Sequence, residues 1–254
     1  MAFIKPIRHL PVTILIPAYN EEKRIRDSLA ILMDWNSKVQ LDLQVLVVDD
    51  GSNDSTFKVA ANCAAEFPSL SIRVIKQQVN SGRGRALELG ILAARTDLVL
   101  WADADASTDW NEIIRFYDKI VFENFDLVIG SRYNQDSVTQ GQPVLRKLSS
   151  FLARKLIRAS TQLPYRDYVC GFKMIRKSKF VGLKMLGPTP SNFLWDLHLI
   201  FWAHKNNWKI SELPIRWNHR SGSKVRWWRD SRELLTALRA LTIAEPNNGN
   251  GIID

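Results

Sequence analysis

Short runs rich in apolar residues punctuate the first half of the chain, at 12–16, 43–48, 71–76, 97–101 and 126–129. Runs of this length read as strands buried on both faces, as in a parallel sheet. Between them the apolar positions change to a helical period: Ile25, Leu29, Leu32 and Met33 in the first interval, then 56–67, a segment ending near 94, and 110–122. Strands alternating with helices predict an α/β domain with a mostly parallel sheet, flanked by helices and joined by right-handed crossovers. Ligands of such sheets bind beyond the carboxyl ends of the strands. Four predicted strand ends run straight into polar groups: Tyr19-Asn20-Glu21, Asp49-Asp50, Asp103 with Asp105, and Ser131-Arg132. After residue 142 basic helical segments dominate, with one short predicted strand near 209–213.

Composition sharpens this picture in two places. Of 254 residues, 46% are hydrophobic, which suffices for a core and excludes a disordered chain. The net charge of +9 is uneven. Residues 144–232 hold 19 Lys and Arg against 4 Asp and Glu, leaving 16 basic and 22 acidic residues elsewhere. The back half is therefore expected to meet something anionic. Cys63 and Cys170, the two cysteines, are too far apart in sequence for a metal or disulfide framework and read as buried thiols of a reducing compartment. No apolar stretch reaches the roughly 18 residues that span a bilayer, and no signal peptide is visible, so a cytoplasmic chain, peripheral at most, is expected.

The candidate chemistry sits at the strand ends. Asp103-Ala104-Asp105 places two carboxylates at period-two spacing just past a strand. A turn or helix cap through Ser107 and Thr108 is the plain alternative. The position points to a hard cation, Mg²⁺ or Mn²⁺, which takes one or two carboxylates plus substrate phosphates. Asp49-Asp50-Gly51-Ser52 reads either as a strand-to-helix loop or as an acceptor for the N–H groups of a base. Asn80 to Arg85 is glycine-rich with Arg83 at a predicted helix start, which suits a phosphate.

Taken together, Pro17-Ala18-Tyr19-Asn20-Glu21-Glu22, Val48-Asp49-Asp50-Gly51-Ser52, Asn80-x-Gly82-Arg83-Gly84, Asp103-Ala104-Asp105 and Gly130-Ser131-Arg132-Tyr133 resemble, in order, the inverting family 2 glycosyltransferases of the GT-A fold. Cys170-Gly171-Phe172-Lys173, Trp195-Asp196-Leu197, Glu212-Leu213-Pro214 and Gly222-Ser223-Lys224 are similar to the branch that makes dolichyl-phosphate glucose and mannose, nearer the glucose side. The resemblance covers about residues 11–240. It implies one GT-A domain over 1–254, with a nucleotide-sugar half at about 11–142 and a basic helical half facing acceptor and membrane at about 143–240.

The resemblance also implies roles. Pro17, Tyr19 and Glu21 would line the nucleotide, and Asp49 or Asp50 would contact its base. Asp103 and Asp105 would bracket metal and diphosphate, with Asp105 the direct ligand. Ser131 and Arg132 would face the acceptor phosphate. Lys224, with Arg226 beside it, would close over the phosphates. Arg83 stands where the family often has Lys, keeping the charge and changing the geometry. Asp196 would act as general base, or would orient a basic residue if the acceptor is already an anion. The donor would be a UDP- or GDP-sugar and the acceptor a polyprenyl phosphate; a soluble saccharide, protein or polysaccharide is the alternative acceptor.

Residues 145–158 interleave Arg146, Lys147, Arg154, Lys155 and Arg158 with leucines and Phe151. That pattern suits an anionic membrane surface as well as it suits a helix packed on the sheet. Trp227-Trp228 among basic residues points the same way. A nucleic-acid-binding protein would share the charge but leaves the acidic strand ends unexplained, so no nucleic-acid partner is expected.

Overall fold

A computed structural model describes residues 10–141, 144–185, 189–220 and 227–243, with the backbone alone for 144–146, 227–232 and 243. The chain runs β1 (Val12–Ala18), α1 (Ile25–Val39), β2 (Leu43–Asp49), α2 (Thr56–Glu66), β3 (Ser71–Lys76), α3 (Arg83–Ala93), β4 (Leu98–Trp101), α4 (Glu112–Val121) and β5 (Leu127–Ser131). It continues through β6 (Val138–Gln140), α5 (Val144–Thr161), β7 (Lys173–Arg176), α6 (Lys177–Val181), α7 (Trp195–Lys205), β8 (Ile210–Pro214), β9 (Arg216–Asn218) and α8 (Trp227–Ile243).

The main sheet has seven strands in the order β3-β2-β1-β4-β7-β5-β8. All neighbours are parallel except at β7, which is antiparallel to both β4 and β5. β6 and β9 form a separate parallel pair. Alternate residues of each strand feed two cores, one on each face of the sheet. Ile14 and Ile16 point to the side covered by α1, α2 and α4, through Leu29, Ala60 and Phe116. Leu15 and Trp101 point to the side covered by α3, α7 and α8, through Leu87, Trp195 and Leu238. This three-layer arrangement, a mostly parallel sheet flanked by helices, matches the predicted α/β class. No described helix is long and apolar enough to cross a membrane.

The sequence pattern predicts one strand after residue 142, and the described residues hold three: β7, β8 and β9. β7 is four residues with a basic group at each end, so no hydrophobic period marks it. Its direction matters for the site. Because β7 runs opposite to its neighbours, its first residues lie on the rim where the parallel strands end.

Candidate active site

The rim begins with two loops stitched together. Asn20 takes a left-handed φ of 51°, which asparagine tolerates. Its N–H donates to Ser52 Oγ at 2.9 Å, and its Oδ1 accepts from the Asn53 N–H at 2.9 Å. The Glu21 N–H donates to Thr56 Oγ1 at 2.7 Å. Pro17 is buried inside β1, while Tyr19 and Glu21 lie half-buried beyond it. The Glu21 carboxylate accepts from Arg24 Nε at 2.8 Å.

The two aspartates that end β2 differ in what they do. Asp50 Oδ1 accepts from Gln77 Nε2 and the Ser81 N–H, and its Oδ2 from the Gly82 N–H, all at 2.7–2.8 Å. It thus ties down the start of α3; burial pushes its carboxyl up against the pull of those two amides. Asp49 is fully buried and accepts only the Ser52 N–H through Oδ1, at 3.0 Å. Its Oδ2 has no partner among the described residues. A buried acceptor without a donor is costly, so Asp49 is the member of the pair with an acceptor to offer a ligand.

Past β4, Asp103 and Asp105 flank the buried Ala104. Asp105 Oδ1 accepts from the Ser107 N–H at 3.0 Å, and Ala106 between them has φ 49°. A non-glycine residue held there stores strain, a common feature of ligand sites. Burial, then the charge of Asp103, pushes the Asp105 carboxyl above its ordinary range. A buried carboxylate with a second carboxylate beside it is a site a divalent cation would relieve. Among the described residues no cluster of three or more His, Cys, Asp or Glu could hold a metal. A two-carboxylate donor set fits Mg²⁺ or Mn²⁺ sharing its coordination with substrate phosphates, and fits a His/Cys cage of the zinc type poorly.

Gly171, two residues before β7, lies against the Asp103 carboxylate. A Cβ added there would meet Oδ2 at 2.1 Å and Oδ1 at 2.5 Å. The half-exposed Asp103 side chain can swing away, so Gly171→Ala should fold normally while displacing the carboxylate. The expected result is a roughly 100-fold loss of turnover with an unchanged melting temperature. A variant with full turnover would show that the position of Asp103 is immaterial.

Arg83 connects this carboxylate pair to the interior. Its Nε donates to Asp103 Oδ1 at 3.2 Å, and its Nη1 donates to Asp196 Oδ2. Gly84 permits this reach, since a Cβ there would meet Trp195 Cβ at 2.6 Å. Asp196 is fully buried. Its Oδ1 accepts from Lys173 Nζ at 2.9 Å and Trp101 Nε1 at 3.1 Å. Burial alone would raise its carboxyl, but Lys173 and Arg83 outweigh that and hold it below the usual range. Lys173, also fully buried, donates its remaining reach to the Cys170 carbonyl. The ring of His198, two residues on, finds no hydrogen-bond partner among the described residues; burial lowers it to about 4, so it packs as a neutral ring.

At the end of β5, Ser131 is fully buried and Arg132 is gripped by Asp167. Arg132 Nε donates to Asp167 Oδ2 at 2.8 Å and Nη2 to Oδ1 at 3.0 Å, and the Arg132 N–H also reaches Oδ2 at 3.1 Å. The pairing outweighs burial, raising the guanidinium and lowering the carboxyl. The guanidinium also lies over the rings of Tyr133 and Trp217, at 5.5 and 5.6 Å. Glu212 Oε1 supports Asp167 from below by accepting the N–H groups of Arg166 and Asp167 at 2.8 and 2.9 Å. Lys224 and Arg226 lie outside the described residues.

The structure therefore gathers Asp49, Asp50, Arg83, Asp103, Asp105, Arg132 and Asp196 along one rim. Sequence reasoning missed Lys173 as a partner of Asp196, missed Asp167 altogether, and gave Glu212 no role within its motif. One signal was present. Only four acidic residues occur among residues 144–232, and three of them are Asp167, Asp196 and Glu212. An acid in so basic a stretch is expected to be paired.

The model of the family described as Glycosyl transferase family 2 matches residues 13–182. A dolichyl-phosphate beta-glucosyltransferase of Trichomonas vaginalis is 34% identical over 226 residues, 85% of this chain and 68% of that protein. The protein of that name from Dictyostelium discoideum is 29% identical, over 87% of this chain and 70% of its own length. Among solved structures, glucosyl-3-phosphoglycerate synthase of Mycobacterium tuberculosis, in complex with Mn²⁺, UDP and glucosyl-3-phosphoglycerate, superposes with a TM-score of 0.67. At 19% identity, over 96% of this chain and 84% of that one, this likeness is one of fold.

Proposed function

The chain belongs to glycosyl transferase family 2, and from that premise we propose that it transfers glucose, with inversion, from UDP-glucose to a polyprenyl phosphate of the dolichyl type. The relatives named as dolichyl-phosphate beta-glucosyltransferases support the sugar and the lipid. The structural neighbour's complex with UDP and Mn²⁺ supports the base and a divalent ion. A GDP-sugar is the runner-up donor.

The observation that carries this reading is the state of Asp196. A transferase acting on a sugar hydroxyl needs a carboxylate free to take a proton. Asp196 is fully buried, held ionised by Lys173 and Arg83, with both oxygens occupied. A polyprenyl phosphate is already an anion at neutral pH, so it needs a positive guide in place of a base. Arg132, fixed by Asp167, and Lys224 supply that charge.

In the proposed reaction an acceptor phosphate oxygen attacks the anomeric carbon as its bond to the UDP oxygen breaks, releasing UDP. Asp49 Oδ2 accepts an N–H of the uracil. Asp103 and Asp105 would hold a Mg²⁺ or Mn²⁺ ion, which would supply Lewis-acid neutralisation of the diphosphate. Arg83 keeps Asp103 in place and adds a fixed positive charge beside it. Tyr19, Glu21 and Pro17 close the nucleotide side, and Ser131 the acceptor side. The lipid acceptor would bring the chain to a membrane, and we assign it a peripheral position on the cytoplasmic face, supported by the basic back half.

A donor panel tests the reading. UDP-glucose, UDP-galactose and GDP-mannose would each be supplied with Mg²⁺ or Mn²⁺, with and without polyprenyl phosphate, and nucleoside diphosphate release measured. Release from UDP-glucose that depends on the polyprenyl phosphate is expected. Equal release without that acceptor, or transfer only to soluble saccharides, would refute it.

A further inference from the structure

α5 carries more apolar surface than its packing uses. Ile157 and Thr161 are buried, and Ala153 packs against the core shared with α7 and α8. On the opposite side Leu148, Phe151, Leu152 and Leu156 stand 58%, 44%, 59% and 39% exposed. Their spacing of three and four residues makes one continuous outer stripe. Packing on the protein's own core thus accounts for one face only. Isolated exposed apolar side chains need no explanation, but a contiguous stripe marks a contact surface.

The charge around the stripe chooses among occupants. Lys147, Lys155 and Arg158 are exposed, and α5 contains no acidic residue along its whole length. Lys155 Nζ lies 4.6 Å from the Phe151 ring, so a cation sits within the stripe. A second copy of this chain would bring the same cations face to face. A surface of anionic phospholipid answers both the stripe and its charge.

The stripe also has a fixed place relative to the rim. Arg154, on the inner side of α5, lies 3.5 Å from the centre of the Tyr133 ring, next to Arg132. Beyond its C-terminus the chain leads directly to Asp167, which holds Arg132. We propose that the outer face of α5 is an interfacial docking helix for anionic membrane, which sets the Arg132 end of the rim against the lipid surface. The surface assignment stands on exposure and charge; its purpose, delivery of a lipid phosphate to Arg132, rests on the function proposed above.

The test uses the full chain and vesicles of phosphatidylcholine with or without phosphatidylglycerol. Wild-type protein should sediment with the anionic vesicles and release at high salt. The variant Leu148→Ser/Phe151→Ser/Leu152→Ser alters exposed side chains only. It should lose at least about tenfold in vesicle binding while transferring glucose to a short, water-soluble polyprenyl phosphate at the wild-type rate. Lys155→Glu should weaken binding and flatten its salt dependence. Unchanged vesicle binding in the triple variant would overturn the proposal. So would a wild-type dimer in solution that the triple substitution dissociates, since the stripe would then face a second copy. Vesicle binding lost on cue, with no transfer to the soluble acceptor by the wild type, would uphold the surface and refute the proposed function.

Discussion

Asp105→Ala is expected to reduce glucose transfer by about 10³-fold or more, roughly 4 kcal/mol of transition-state stabilisation, without unfolding the protein. The two halves of that expectation have separate causes. Asp105 is bonded through Oδ1 to the Ser107 N–H, on a strained turn that aims it beside Asp103. Asp103 already shares its charge with Arg83. Asp105 is thus the carboxylate left to balance a cation and diphosphate. Its carboxyl is raised by burial and by Asp103. A raised folded-state value means that the ionised form costs stability at neutral pH. Removing it should leave the melting temperature unchanged or slightly higher. Wild-type protein should gain stability when Mn²⁺ and UDP are added together, because binding to the folded state alone shifts unfolding by mass action. The variant should not. Near-normal turnover, or a wild-type response to Mn²⁺ and UDP in thermal unfolding, would remove Asp105 from the cation site.

How much of this was legible in the chain follows from where each signal resides. β1 and β2 are continuous apolar runs whose local pattern is decisive, and the acidic groups follow them closely in sequence. The Asp103 and Asp105 pair is equally local. β7 is not: Lys-Met-Ile-Arg offers four residues, two of them charged, and becomes a central strand only because β4 and β5 leave a gap that it fills. The burial of Lys173 depends on Asp196, 23 residues away. The Arg132–Asp167 fork likewise joins residues 35 positions apart. Interactions of that range leave no periodicity to read. The difference between Asp49 and Asp50 was also hidden, because it depends on Ser81 and Gly82 turning their amides back toward β2. For α5 the pattern showed an amphipathic helix without saying which side was covered. That answer came from the exposure of Leu148 and Leu152.

Asp196→Asn is expected to destabilise the fold by about 3–5 kcal/mol, a fall in melting temperature of roughly 6–20 °C for a chain of this size. The reason lies in what remains. Lys173 Nζ is fully buried, with Asp196 as its ion-pair partner, and the Arg83 guanidinium would keep only Asp103. An amide cannot neutralise them, and an uncompensated buried charge is penalised far more than a pair is rewarded. The pH dependence has a definite sign. Asp196 is held below the usual carboxylate range, so its contribution is complete above that range and is lost only as pH falls through the lowered value. Between pH 5 and 8 the deficit of the variant should therefore be constant. Lys173→Met should partly rescue Asp196→Asn, since the double variant removes both buried charges and leaves a neutral contact. A general base would behave otherwise: Asp196→Asn would lose turnover at an unchanged melting temperature, and Lys173→Met would restore nothing. Thermal unfolding of the single and double variants, beside their rates with polyprenyl phosphate, separates the two roles. A stable, inactive Asp196→Asn protein would assign proton transfer to this carboxylate and would require an acceptor that carries a hydroxyl.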